Sequence, residues 1–206
     1  VRASAAVRES LACAGCHEFV FPGQKALLQR THTEHARSAF ADQRCQDCHM
    51  PVVTGPDGKR HRSHDFHVLG NRALISSAVS ASAVRRGDRS LAVTLVPGRT
   101  GHAFPTGDLF RRVELRAFTD DAGARVEAGA VALERVFATK PGIGRVEVAD
   151  TRLAPPGLGP ARVIDLHFPQ PVSGRPLRYQ LVYQRMDDLT ARMLGHDPRA
   201  DEFVIR

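Results

Sequence analysis

Cys13-Ala-Gly-Cys-His17 and Cys45-Gln-Asp-Cys-His49 are two copies of one five-residue pattern, 32 positions apart, and together they use every cysteine of the chain. Cys-x-x-Cys-His is read as a covalent haem attachment site. The two thiols add across two vinyl groups on one porphyrin edge, the two-residue spacer matches the separation of those vinyls, and the adjacent histidine binds the iron from the proximal side. Cys13, Cys16, Cys45 and Cys48 are therefore the expected attachment residues, with His17 and His49 as proximal ligands of two covalently bound haem c groups. A four-ligand zinc site is the first rival, since two Cys-x-x-Cys pairs could supply it. A redox disulfide is the second, but it calls for a βαβ unit that the sequence does not show. A doubled pattern that leaves no cysteine over, set among spare histidines, favours haem.

The reading of the first third follows from those motifs. Residues 1–85 read as short helices and loops with little periodic apolar pattern, a segment hard to fold unless haems supply its core. Ala3–Ala12 is a plausible helix entering the first motif, and Gln24–Ala41 has helical composition leading into the second. Pro51–Arg62 reads as a turn-rich loop with Gly55, Pro56 and Gly58. Arg72–Arg85 suits either a helix or an extended link. The pattern changes near Gly87. Ser90–Val96 and Arg112–Thr119 alternate like strands, and Arg125–Phe137, Arg145–Ala149, Arg162–Phe168 and Leu177–Arg185 add further candidates between Gly/Pro turns. Met186–Leu194 has helical character and ends at Gly195. The expected fold class is thus α+β: a mostly helix/loop dihaem domain over 1–86, then an antiparallel β-sandwich-like domain over 87–206 with a short C-terminal helix.

Composition narrows the classes. The chain has 206 residues, 42% hydrophobic and 25% charged, which suits an ordinary globular protein. No apolar run approaches the roughly 20 residues of a membrane-spanning helix. The net charge is +7 with His neutral, but the basic residues are scattered. Lys59, Arg60, His61 and Arg62 form one dense patch, so a solvated surface or an acidic redox partner is a better reading than nucleic acid. The chain opens on Val1, and an export leader upstream is expected. Haem is attached to this motif outside the cytoplasm, so a periplasmic or extracellular location is expected.

The second axial ligand decides what such irons can do. His/His or His/Met ligation gives a saturated iron suited to electron transfer, and an open position admits a substrate. Seven of the ten histidines lie between His17 and His67. His32, His35, His61, His64, His67 and His102 are all candidates, while His167 and His196 read as surface residues. Met50 follows His49 too closely to reach the far side of that iron, and Met186 and Met193 read as packing residues.

The ordered set Cys13–Pro22 (CAGCHEF and a following FP), Cys45–Pro51 (CQDCHMP), Ser63–Phe66 (SHDF), Gly101–Asp108 (GHAFPTGD) and Asp150–Gly157 (DTRLAPPG) resembles a family of multihaem c-type cytochromes with a C-terminal β-domain. The resemblance implies that His64 and His102 are distal ligands, giving two bis-histidine haems; His35, His67 and His32 stand outside the pattern as alternative ligands. Family members often carry more haem motifs than this chain, so a subunit of a larger assembly is one implied role. If His102 binds iron, the β-domain reaches over the haem segment, and Phe104-Pro105 would stiffen the turn that holds it. The expected function is electron transfer, not catalysis, with other cytochromes or a redox enzyme as partners, docked weakly and guided by charge. Homo- or hetero-oligomeric assembly is compatible with that role. The alternative is a haem enzyme of peroxidase or nitrogen-oxide reductase type with one open iron. A third reading is a haem-bearing subunit that polymerises or anchors a complex.

Overall fold

A computed structural model describes residues 5–20, 27–65, 71–121, 123–200 and 202–205. Strands take 40% and helices 18% of them, arranged in five sheets. This overturns the expectation of a mostly helix/loop N-terminal dihaem domain. A 3₁₀ turn at Ala5–Arg8 precedes α1 (Leu11–His17), which carries the first cysteine motif. The chain then enters β1 (Glu18–Val20), which pairs antiparallel with β2 (Leu27–Arg30), Glu18 opposite Arg30. Helix α2 (Thr31–Arg37) and helix α3 (Cys45–His49), the second motif, follow. β3 (Val52–Thr54) and β4 (Arg60–Arg62) then pair across the stretch expected as a loop, with Gly58 at φ 74° where the turn needs a left-handed residue. The physical reason for the departure is length. Strands of three or four residues are too short to show an alternation, yet pairing still satisfies their backbone groups.

Helix α4 (Arg72–Ser76), whose Asn71 side chain accepts from the Leu74 N–H, leads into the β-region. β5 (Val79–Arg86) pairs with β6 (Ser90–Pro97) across a turn at Gly87, so strand pairing runs across residue 86. β7 (Arg112–Asp121), β8 (Ala124–Glu127) and β9 (Val131–Leu133) come next. They are followed by a hairpin of β10 (Arg135–Lys140) with β11 (Gly144–Asp150), then β12 (Arg162–His167) and β13 (Arg178–Gln184). The residues expected as one strand over 125–137 are thus divided among β8, β9 and β10. Helix α5 (Asp188–Met193), capped by the Asp187 side chain on the Thr190 N–H, ends before Gly195. It is not the last element: β14 (Phe203–Val204) returns to pair with β13.

Two antiparallel sheets face each other. One has the order β12-β6-β5; the other has β14-β13-β7-β8, with β9 also on β7. Their alternating inward residues meet in one core: Leu91, Val93 and Leu95 from β6, Ile164 and Leu166 from β12, Val113 and Leu115 from β7, and Leu181 from β13. Two loop residues join this core, Phe104 and Leu153. They hold each other by reciprocal backbone bonds, Phe104 N–H to Leu153 O at 2.8 Å and Leu153 N–H to Phe104 O at 2.9 Å. The peptide bond between Phe104 and Pro105 is cis. The loop that carries His102 is therefore anchored two residues away in the hydrophobic core.

Candidate haem site

The two cysteine motifs lie against each other. The Cys13 thiol is pushed up by burial and by the neighbouring Cys45, to which it is hydrogen-bonded. Cys13, Cys45 and Cys48 are half-buried and Cys16 is exposed. The contact is built from backbone and spacer. The Cys45 N–H donates to Ser10 Oγ at 3.1 Å, just ahead of the first motif. Gln46, the first spacer residue of the second motif, is buried and donates through Nε2 to the carbonyls of Val7 (3.1 Å) and Glu9 (3.0 Å).

Asp47, the other spacer residue, steadies the short helix α3. It accepts from the Arg44 N–H at 3.1 Å and from the Arg44 guanidinium, and it also pairs with Arg62. The Arg44 hydrogen bond is the main reason its carboxyl drops to about 2. Arg62 donates to the carbonyl of Gln46 (2.7 Å), which also takes the Met50 N–H, and to that of Met50 (2.9 Å), so one guanidinium ties down the end of α3.

The histidines are distributed unequally. His17 is exposed at the end of α1, and its Nδ1 lies 3.0 Å from Gln29 Oε1, which β2 presents beside it. His49 is half-buried, its pKa lowered by burial and then by His17 and His35. His102 is half-buried, and its ring lies 6.1 Å from that of His49, centre to centre, at 20° between planes. Burial pushes His102 down to about 4, so the ring is neutral at physiological pH. Its Nδ1 faces the Ala103 carbonyl at 3.2 Å. For both His17 and His102 the carbonyl-type partner assigns the proton to Nδ1 and leaves the Nε2 lone pair for a metal.

The donor set fits haem. His49 and His102 would each offer its iron one imidazole nitrogen, and the paired cysteines would add to its vinyl groups.

The other expected ligands stand elsewhere. His64 is exposed and borders a cleft with Val7, Arg8, Arg44, Gln46, Met50 and Arg62; no motif cysteine or histidine lines that cleft. His35 is half-buried on α2, its pKa lowered by burial and then by His32, and its ring packs against Gly101. His32 is half-buried on the same helix, and His67 lies outside the described residues. The sequence reading missed Gln29, Gln46, Glu34 and Arg152. Arg152 sits in the DTRLAPPG segment, which that reading quoted without a role. A bond between residues 118 positions apart, such as Arg152 to Glu34, leaves no spacing signal.

No described protein family and no curated protein matches the chain. Among solved structures, it is similar to a penta-haem cytochrome c552 from Thermochromatium tepidum, at 21% identity and a TM-score of 0.72 over 97% of this chain. The match covers 55% of that protein, so the chain spans about half its length. No helix among the described residues is long and apolar enough to cross a membrane. The chain therefore has the fold of roughly half of a multihaem c-type cytochrome.

Proposed function

We propose that the chain is an exported electron-transfer protein carrying two covalent haem c groups, one on Cys13, Cys16 and His17 and one on Cys45, Cys48 and His49, with His102 as the second axial ligand of the latter. When bound there, haem supplies a one-electron ferric–ferrous couple. The observation that carries the reading is the His49–His102 pair at 6.1 Å with nearly parallel rings. Offset-stacked rings fall in the same range. The Nδ1-protonated form of His102 adds weight to ligation, because it turns Nε2 into a lone-pair donor.

The chain's own residues hold the arrangement together. Gln29 orients the His17 ring, Gln46 ties the two motifs, and Arg62 and Asp47 fix the turn of helix that ends in His49. The contact of Cys13 with Cys45 supports two haems attached close enough for rapid exchange between irons. For the haem of His17 we assign His64 as second ligand, following the sequence resemblance. The segment ahead of α4 then bears the haems, and the β-region, which includes β5 (Val79–Arg86), lends His102. The likeness to a penta-haem protein supports a place in a longer electron path, with other cytochromes or a redox enzyme as partners.

The test is optical and EPR spectroscopy of the holoprotein, oxidised and reduced, with and without carbon monoxide. Two low-spin haems inert to carbon monoxide are expected. A haem that binds carbon monoxide would replace the carrier reading with a haem enzyme. His102→Ala is expected to make one haem high-spin without detaching it. His64→Ala should do so for the other, and His35→Ala should not; the reverse result would give His35 the role.

A further inference from the structure

Glu34 and Arg152 are absent from the ligand set, yet they form the most heavily bonded group near it. The Glu34 carboxylate accepts three donors from three separate parts of the chain. Oε2 takes the backbone N–H of Ala103 at 3.0 Å, and Oε1 takes Arg152 at 2.5 Å and Arg30 Nε at 3.1 Å. Arg152 has a side chain only 4% exposed and is itself clasped by Asp150, through Nε (3.0 Å) and a terminal nitrogen (2.8 Å). Its other terminal nitrogen reaches the Pro105 carbonyl at 3.4 Å, on the far side of the same loop. Arg30 continues the chain to Glu147 at 3.0 Å and to Asp150, and Arg135 closes it on Glu147 at 2.7 Å. Three arginines and three carboxylates thus form one neutral network. It joins β2 and α2 to β10, β11 and the loop after them.

We propose that Glu34, braced by Arg152, is the positioning residue that delivers His102 to the iron site of His49; this rests on His102 being an axial ligand. The argument is geometric. His102 has Phe104 anchored in the core on its C-terminal side, but the imidazole direction depends on the peptide between His102 and Ala103. That peptide is held at both ends of its dipole: its N–H by Glu34, and the carbonyl of His102 by Thr100 Oγ1 at 2.9 Å. The carboxylate in turn cannot rotate away, because two guanidinium groups occupy its other oxygen. Arg152 is buried and forked on Asp150, and from that fixed position its single bond to Glu34 gives the carboxylate more rigidity than a lone acid would have. Glu34 lies on the helix of the N-terminal segment while His102 belongs to the β-region. The bond therefore fixes the loop relative to the side from which His49 approaches.

The holoprotein tests this with Glu34→Gln and Glu34→Ala. Glutamine keeps an acceptor for the Ala103 N–H, so both haems should stay low-spin, with the potential of one raised because a nearby negative charge is gone. Alanine removes the acceptor: at least a tenth of one haem should turn high-spin and bind carbon monoxide, and added imidazole should restore the low-spin spectrum. A residue that merely stabilised the fold would lower the melting temperature in both variants and leave spin state and carbon monoxide binding unchanged. Arg152→Lys, which keeps the charge and loses the fork, should show the same high-spin fraction and carries the test if Glu34→Ala does not accumulate with two haems. Fully low-spin, carbon monoxide-inert variants overturn the proposal if His102→Ala is high-spin. If His102→Ala itself stays low-spin, the ligand assignment fails instead.

Discussion

Gly101 is small for the sake of a neighbour. A Cβ built there would sit 2.6 Å from Cδ2 of His35 and 3.4 Å from the Cβ of Phe40, closer to the ring than packed atoms come. The glycine that precedes His102 thus makes room for an imidazole from α2. Gly101→Ala is expected to cost about 1–3 kcal/mol, because an overpacked interior must shift rings or backbone. The same substitution in a His35→Ala background should cost less than half as much, since the clashing ring is gone. A double-mutant cycle by chemical denaturation measures the coupling, and additive effects would mean that the two residues do not meet. The site's legibility splits here. Glycine and histidine were readable as part of a motif, but the reason for the glycine lies 66 positions away in His35.

Between elements, an arginine ties the backbone of one hairpin to another. Arg135, its side chain 7% exposed, donates to the carbonyls of Leu27 and Leu28, both at 2.7 Å, and to Glu147. It joins the β10–β11 hairpin to β2. Arg135→Met should destabilise the protein by about 2–4 kcal/mol, because a carboxylate loses a partner and two carbonyls lose donors. A smaller loss in urea unfolding, under about 0.5 kcal/mol, would make this contact incidental.

A second joint holds the β14 end of its sheet. Glu202, just before β14, bonds Arg116 of β7 at 3.0 Å and the buried Gln184 of β13. Burial alone would raise the Glu202 carboxyl, but the hydrogen bonds from Arg116 and Gln184 outweigh it and leave the group below its usual value of 4.5. A carboxylate depressed in the folded state stabilises the fold above its unfolded value and loses that contribution as pH falls through the folded one. Stability should therefore decline as pH drops from about 4.5, and Glu202→Gln should flatten that slope. Urea midpoints from roughly pH 6 to 3 provide the comparison. An identical slope in the variant would remove Glu202 from the account.

Across the whole molecule, the core belongs to the β-region but begins before it. Ile75 of α4 and Val79 of β5 are 4% and 2% exposed, both within the shared core, and β5 is an edge strand of the β12-β6-β5 sheet. A fragment ending at Arg86 would carry these residues with nothing to cover them, and it would lose the partners of Glu34 and Arg30. We expect such a fragment to show no cooperative thermal transition even with haems attached. A fragment beginning at Asn71 should keep a cooperative melt and a β-sheet circular dichroism spectrum, because both sheets and their core lie within it. A cooperative transition in the shorter N-terminal piece would mean that the haems alone can organise it.

By itself the sequence determined where the chemistry-bearing groups cluster: each Cys-x-x-Cys-His motif puts two thiols and an imidazole within five residues of one another, and the proposed haem attachment rests on that local pattern. It also determined the longer strands, where Val113, Leu115 and Ala117 alternate with Glu114 and Arg116, and where Leu91, Val93 and Leu95 do the same. Only the tertiary structure decided that the N-terminal third pairs into hairpins. Three-residue strands have no periodicity to read, and their partners are set by hydrogen bonds across turns. The same holds for the site. The approach of His102 to His49 and the clasp of Glu34 by Arg152 and Ala103 depend on loops anchored in a distant core. Contacts between residues tens of positions apart follow from packing, which no local pattern encodes.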